Sequence, residues 1–121
     1  MVIKWLGHSC FLISNDEATT ILTDPYDSYV GRKMPKVSAD VVITSHSHKD
    51  HSAINNVNSY KKVIDNIGEY CYNDIKIITF CRNHDNMGGN LRGKTLITKI
   101  ITDGLSLCHL GDIGEFCTED I

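Results

Sequence analysis

The chain has 121 residues, of which 41% are hydrophobic and 22% charged, which is ordinary for one globular domain with its own core. The formal net charge is -3, so no basic surface favours nucleic acid or an anionic membrane as the main partner. No apolar run approaches the roughly 20 residues of a membrane-spanning helix, and the N-terminus lacks the apolar core and cleavage site of a signal peptide.

The first half of the chain predicts short strands. Residues 2–13 read as a strand pair, and residues 19–23 as a β-branched strand that ends at Asp24. Residues 39–44 form an apolar run without alternation, which is typical of a strand covered on both faces. Residues 52–60 predict a short helix, which several asparagines weaken.

The second half continues the strand-rich pattern. Residues 62–64 and 74–80 predict two strands, and residues 95–101 and 105–110 predict a hairpin with an Asp-Gly turn between its strands. Polar side chains that can bind a metal follow several of these strands. Layered α/β folds place their active sites at such strand ends.

Five cysteines are present, an odd number, and no two form a Cys-x-x-Cys pair. This usage favours reduced thiols in a cytoplasmic protein over a disulfide framework. Because most of them stand among apolar residues, we expect most to be buried structural thiols.

A dense group of metal-type ligands directly follows the apolar run 39–44. Its members are His46, His48, Asp50 and His51. Imidazole and carboxylate groups bind borderline cations such as zinc. The first two are two residues apart, so in extended chain they point to the same side and can reach one ion, whereas the last two diverge toward a neighbouring position.

A divided ligand set of this kind suits two metal ions that share a bridging water. The string cannot complete either site by itself. His84 and Asp112 are the candidates for the missing ligands, because each follows a predicted strand. The alternative is a surface histidine tract that binds metal only adventitiously.

The string from Ser45 to His51 resembles the His-x-His-x-Asp-His signature of the metallo-β-lactamase superfamily. Segments around the other candidates agree with the same family, namely residues 23–25, 83–85 and 109–112. The opening residues 3–9 and the glycine-rich residues 88–93 resemble one branch of it. That branch comprises cytoplasmic metal-dependent hydrolases related to ascorbate-phosphate lactonase.

The resemblance implies a role for each candidate. The metal ligands that it assigns are His46, His48 and His84 for the first ion, and Asp50, His51 and a bridging Asp112 for the second. Asp50 would also be the catalytic residue that orients the attacking water, and Asp24 would orient a ligand histidine from behind. The implied cofactor is zinc, as one or two ions, with manganese or iron as alternatives.

The implied fold is α/β (α+β): a four-layer αββα sandwich. Family domains are longer than this chain and carry one more zinc-ligating histidine. We therefore expect residues 1–121 to form a single incomplete domain, with the N-terminal half of the sandwich and only the first hairpin of its second sheet.

The implied function is cytoplasmic hydrolysis of an ester, lactone, amide or phosphoester bond in a small-molecule substrate by a metal-activated water. The alternative is a truncated domain that binds metal without activity and forms a homo-oligomer through its exposed sheet. A nuclease is disfavoured, because the chain lacks a basic stripe.

Three further side chains each have two interpretations. His8 stands at a predicted turn and either contacts the substrate or only shapes the turn. Arg92, in the glycine-rich loop, either binds a substrate phosphate or carboxylate or is a solvated arginine. For His109 we favour a structural role, because simple alternation directs it away from Asp112.

Overall fold

The computed structural model describes residues 1–26, 36–45, 54, 57–83 and 94–111. The chain divides into two compact units, Met1–Asp65 and Asn66–Ile121. Each unit contains one of the two described β-sheets.

The first unit contains a mixed five-stranded sheet in which the strands follow one another in chain order. Its strands are β1 (Val2–Gly7), β2 (Cys10–Ser14), β3 (Thr20–Thr23), β4 (Val41–Ile43) and β5 (Lys62–Ile64). The pairs β1–β2 and β2–β3 are antiparallel, whereas β4 and β5 continue the sheet in parallel with β3. The three short strands β3 to β5 therefore end at the same edge.

Both faces of this sheet are buried at its inner strands β3 and β4. One face contributes to a core cluster with Cys10, Leu22, Tyr26 and Val42. The opposite face buries five β-branched side chains almost completely, namely Ile13, Ile21, Val41, Ile43 and Ile64. Each such side chain contributes about 1.5–3 kcal/mol when it leaves water. The non-alternating run 39–44 thus contains a strand, Val41–Ile43, that is buried on both faces, as predicted.

The second unit contains an antiparallel four-stranded sheet, again in chain order. Its strands are β6 (Gly68–Tyr72), β7 (Ile75–Asn83), β8 (Lys94–Thr102) and β9 (Leu105–His109). Between β8 and β9, Asp103 and Gly104 have φ angles of 55° and 72°. Two successive positive φ values are what a two-residue type I′ hairpin turn requires, which explains the Asp-Gly pair.

The structure corrects the prediction for this second sheet. The hairpin of β8 and β9 and the strand over 74–80 are confirmed, but the sheet has four strands rather than a single hairpin. β6 was missed, although its alternating Tyr70 and Tyr72 were a usable signal. Tyr70 anchors the start of this strand by donating its hydroxyl to the Asn66 carbonyl at 3.0 Å.

The described residues contain no α-helix, so the helical layers of the expected α/β sandwich stay a prediction. The helix predicted over 52–60 falls largely outside the described residues, and residues 57–60 are not helical. In the part of the chain that the structure describes, no helix is long and apolar enough to cross a membrane.

The expected burial of the cysteines holds only in part. No disulfide joins the four described cysteines: Cys10 is buried and Cys81 half-buried, whereas Cys71 and Cys108 are exposed. The prediction was wrong for the two exposed thiols, because their strands β6 and β9 have an alternating burial pattern and these positions fall on the outward side.

Candidate metal centre

The site begins at the edge of the first sheet where β3 and β4 end, here called the carboxyl edge and defined by Asp24 and Ser45. β3 and β4 pair in parallel with Thr23 opposite Ile43. Asp24 therefore follows β3 at the level where the chain leaves β4 toward Ser45. The backbone N–H of Asp24 donates to the Ile43 carbonyl at 2.8 Å, which extends the pairing to the edge itself.

Asp24 and Ser45 are joined by two short hydrogen bonds. The Ser45 backbone N–H donates to Asp24 Oδ1 at 2.6 Å, and the Ser45 hydroxyl donates to Asp24 Oδ2 at 2.6 Å. Both residues are buried. Asp24 has a φ of 42°, in the left-handed region that Asp tolerates better than most residues. This pair, the Asp24–Ser45 clamp, fixes the last residue before His46.

The negative charge at Asp24 acts on a neighbouring thiol. Burial, with the charge of Asp24 adding to it, raises the pKa of the fully buried Cys10 to about 12. The thiol is therefore protonated at neutral pH and serves as a packing group rather than a nucleophile or thiolate ligand.

The turn between β1 and β2 lies at the same carboxyl edge. The Thr23 hydroxyl donates to the Ser9 carbonyl at 3.2 Å and accepts the Phe11 N–H at 3.0 Å. These bonds tie the turn to the end of β3. His8 is exposed in this turn, and its ring lies edge-on to Tyr26 with centroids 6.4 Å apart.

In the second unit, two strands lead toward predicted ligands. β7 and β9 flank β8 and are antiparallel to it, so both run in the same direction. β7 ends at Asn83, directly before His84, and β9 ends at His109, three residues before Asp112. His109 is half-buried opposite Thr98 of β8.

Most of the predicted site residues lie outside the described residues. These are His46, His48, Asp50, His51, His84, Arg92 and Asp112. Among the described residues, no three His, Cys, Asp or Glu side chains are grouped so as to hold an ion. The ligand set therefore stays a prediction, as does the action of Asp24 on a ligand histidine. Of the predicted residues, the structure places Asp24 and His8 at one edge.

Ser45 is the residue whose role the sequence did not reveal. Its two donors meet a carboxylate 21 residues earlier in the chain. A serine that directly precedes a run of metal-type ligands is a signal that could have raised the question. Its partner follows only from the parallel pairing of β3 and β4.

A cavity of about 250 Å³ lies at the opposite end of these strands, here called the amino edge and defined by Thr20 and Asp40. Thr20 donates its backbone N–H and its hydroxyl to Asp40 Oδ2, at 2.9 and 3.3 Å. Lys61 Nζ lies 3.5 Å from Asp40 Oδ1. The single carboxylate of this cavity thus already has partners, which makes the cavity a poor metal site.

Comparison with known proteins decides the family. Residues 2–120 match the family model of the beta-lactamase superfamily domain. The chain belongs to this superfamily. The match covers nearly the whole sequence, and it confirms the resemblance that the His-x-His-x-Asp-His string indicated.

Individual relatives agree. A UPF0173 metal-dependent hydrolase of Methanosphaera stadtmanae is 26% identical over 112 residues, which are 85% of this chain and 46% of the relative. A UPF0173 protein of Pyrococcus furiosus is 43% identical over 51 residues, which are 42% of this chain and 23% of the relative. This chain thus spans less than half the length of these relatives.

A solved structure supports the fold. A Thermotoga maritima protein, proposed to be a Zn-dependent hydrolase of the metallo-β-lactamase superfamily, superposes with a TM-score of 0.75 and 35% identity. The superposition covers 98% of this chain and 53% of that protein. The metallo-β-lactamase fold predicted from the sequence is therefore confirmed.

Proposed function

We propose that this protein is a metal-dependent hydrolase that binds one or two zinc-type ions and cleaves an ester, lactone, amide or phosphoester bond in a small molecule. The observation that carries the proposal is the Asp24–Ser45 clamp, which secures the end of β4 directly before the ligand string in a chain of this superfamily. The relatives named as metal-dependent hydrolases support the reaction class.

The chemistry of the donor set fits such an ion. The proposed ligands are His46, His48 and His84 for one ion, and Asp50, His51 and Asp112 for the other. Imidazoles with a few carboxylates suit zinc, and the carboxylates would also accept manganese or iron. A bound ion of this class supplies a Lewis acid and makes water acidic enough to act near neutral pH.

The residues of the chain have separate tasks in this proposal. Asp50 orients the attacking water. The clamp holds the backbone at Ser45, the residue before the ligand string, and Asp24 supports a ligand histidine from behind. The burial of Asp24 and Ser45 strengthens the hydrogen bonds between them, because a hydrogen bond is stronger where water is excluded.

Metal analysis tests the proposal first. The protein should be purified without chelator or affinity metal and its ion content measured by mass spectrometry. We expect about one or two ions per chain, and reduced content in His46→Ala and His84→Ala. His8→Ala serves as the control, because His8 is not a proposed ligand and its loss should leave the metal content unchanged. The proposal would be refuted if the purified protein contained no metal ion and the His46→Ala and His84→Ala variants did not differ from it in metal content.

Turnover is the second test. Protein loaded with zinc, manganese or iron should be assayed against p-nitrophenyl acetate, a γ-lactone and bis(p-nitrophenyl) phosphate. We expect hydrolysis of at least one ester class that a chelator abolishes and the preferred metal restores. The best metal identifies the cofactor, which the donor set leaves open.

A second candidate is a metal-binding protein without activity that forms homo-oligomers. One observation favours it: three large apolar residues of the outermost strand β1 are exposed to solvent. The exposed fractions of Val2, Ile3 and Trp5 are 59%, 48% and 61%. Exposed apolar side chains on an end strand promote association. Size-exclusion chromatography with light scattering decides between the candidates, since a metal-loaded monomer with turnover contradicts this one.

We also propose that the protein works in a reducing compartment such as the cytoplasm and has no nucleic-acid partner. Two of the four described thiols are exposed, and exposed thiols persist where glutathione keeps them reduced. The net charge of -3 disfavours binding to phosphate backbones. A filter-binding assay with single- and double-stranded DNA at low salt tests the second statement.

A further inference from the structure

The turn between β1 and β2 has an unusual residue at its tip. His8 is exposed and has a φ of 51°, in the left-handed region, directly after Gly7 with a φ of 114°. Histidine enters this region more readily than most residues, but glycine does so without a steric cost. If this turn only reversed the chain, glycine at position 8 would serve as well as histidine and at a lower steric cost.

The surroundings hold His8 in this conformation from two sides. The Trp5 indole N–H donates to the His8 carbonyl at 2.8 Å. Tyr26, which is fully buried, lies edge-on to the His8 ring at an interplanar angle of 72° and donates its hydroxyl to the Leu6 carbonyl at 2.6 Å. Backbone conformations of higher energy that are supported in this way tend to mark functional sites.

The turn is also at the relevant place. Its Ser9 carbonyl is bonded to Thr23, the last residue of β3, and Tyr26 stands two residues after Asp24. Trp5 pairs with Phe11, whose N–H is bonded to the same Thr23. Both Trp5 and His8 therefore lie at the carboxyl edge, where the ligand string begins, and not at the amino edge.

Trp5 is 61% exposed, which is unusual for the largest side chain of a small domain. Its indole N–H is used internally by the His8 carbonyl. The exposed part of the side chain is thus mainly apolar ring. Exposed aromatic residues next to a site are frequent contacts for an apolar group of a ligand.

We propose that His8 and Trp5 contact the substrate of the proposed hydrolase: the His8 imidazole donates a hydrogen bond to a substrate oxyanion, and Trp5 packs against an apolar ring attached to it. This inference rests on the proposed function. The oxyanion is a phosphoryl or a carboxylate oxygen, which share the acceptor chemistry that an imidazole N–H recognises. The substrate class is thus a ring-bearing anionic ester rather than a small unsubstituted one.

The chain offers a direct reporter, since Trp5 is its only tryptophan. Metal-loaded protein should be titrated with phenyl phosphate, benzoate, inorganic phosphate and acetate while tryptophan fluorescence is recorded. We expect the ring-bearing anions to change the emission and to bind about tenfold more tightly than their ringless counterparts, a gain typical of one buried aromatic contact. The tighter of phenyl phosphate and benzoate identifies the oxyanion.

Variants separate contact from folding. His8→Gly keeps the left-handed backbone. It should lower the affinity for the tighter-binding of the two ring-bearing anions about tenfold, as expected for one lost hydrogen bond to a charged group. His8→Gln, which keeps a donor, should restore part of the affinity. Trp5→Leu, measured by calorimetry, should remove the preference for the ring and leave the ringless anions unchanged.

Tyr60→Leu is the matched control, because Tyr60 is 47% exposed but lies at the amino edge. It should leave all affinities unchanged. The inference is overturned if metal-loaded protein binds no ring-bearing anion, or if His8→Gly and Trp5→Leu bind them as the parent does. Absence of metal from the protein is a different failure, which removes the proposed function and this inference with it.

Discussion

At each edge of the first sheet, an aspartate ties β3 to β4, but the two ties differ in depth. At the carboxyl edge, both oxygens of the buried Asp24 accept 2.6 Å hydrogen bonds from Ser45. At the amino edge, the Asp40 side chain is 24% exposed, and it accepts longer bonds from Thr20 and pairs with the largely exposed Lys61.

The difference in burial gives the two aspartates different roles: Asp24 fixes the position of its partner, whereas Asp40 only contributes to strand pairing. A buried carboxylate oxygen that loses its hydrogen-bond donor cannot bond to water instead. The loss therefore costs the full desolvation free energy of a polar group. Such a carboxylate holds its partner in one position, which is what a residue preceding a ligand string requires. A partly exposed carboxylate can exchange its partners for water, so it contributes to pairing at little cost if it is lost. The first prediction compares the two aspartates directly.

Asp24→Ala should lower the free energy of unfolding by about 2–4 kcal/mol, because it removes two short buried hydrogen bonds between Ser45 and a charged group. Asp40→Ala, the matched change at the amino edge, should cost about 1 kcal/mol or less. Urea denaturation followed by circular dichroism measures both. Equal losses at the two edges would contradict the distinction between them.

Ser45→Ala removes only the hydroxyl of the clamp and retains the backbone bond. We expect a loss of about 1.5–3 kcal/mol in stability, and a metal affinity lowered by roughly 10- to 100-fold if the clamp orients the ligand string. Ser59→Ala, at the exposed amino edge, is the control and should change neither. If the Ser45→Ala variant is less stable but binds metal as tightly as the parent, the clamp stabilises the fold and does not orient the ligand string.

The amino-edge tie should depend on pH. The hydrogen bond from the Thr20 backbone N–H is the largest of the effects that hold the pKa of Asp40 below its usual value. Burial, the next largest effect, opposes it, and the Lys61 side chain and the Thr20 hydroxyl lower the pKa further. A lowered pKa stabilises the fold above the unfolded carboxyl pKa of about 3.9, and this contribution disappears as the pH falls through the folded value.

The measurement compares the parent protein and Asp40→Asn between pH 2 and pH 7. The parent should be modestly more stable at pH 7, and the two curves should converge at the acidic end. A difference that grows with acidity would have the wrong sign for a lowered pKa and would refute the assignment.

Cys10 gives the smallest effect on stability at neutral pH. Because burial and Asp24 raise the pKa of its thiol to about 12, the folded protein keeps it neutral. The raised pKa of Cys10 should lower stability only as the pH rises above the unfolded thiol value of about 8.5, where the unfolded chain loses the proton first. In native protein at pH 8, a thiol reagent should modify Cys71 and Cys108 quickly and Cys10 only after unfolding. Rapid labelling of Cys10 would show that the carboxyl edge is not closed to solvent.

Local patterns predicted much of the fold. The run 39–44, the strand ending at Asp24 and the Asp103-Gly104 hairpin all appear as expected, because β-branched runs and positive-φ turns depend on neighbouring residues. β6 was missed because the exposed Glu69 and Cys71 alternate with Tyr70 and Tyr72, so no continuous apolar run marks the strand. β6 pairs with β7 across the short connection at Asn73 and Asp74, so its place in the sheet depends on a local hairpin that no apolar run marks in the sequence.

By itself, the sequence indicated the family of this protein, through the crowded histidines and carboxylates that we propose as ligands, and most of the strands that lead to them. Only the tertiary structure showed that Ser45 is the partner of Asp24. The parallel pairing of β3 and β4 joins Asp24 to Ser45 across 21 residues and separates the carboxyl edge from the amino edge. The reason is physical: a side chain's chemistry is local, whereas its partner is set by the register of strands far apart in the chain.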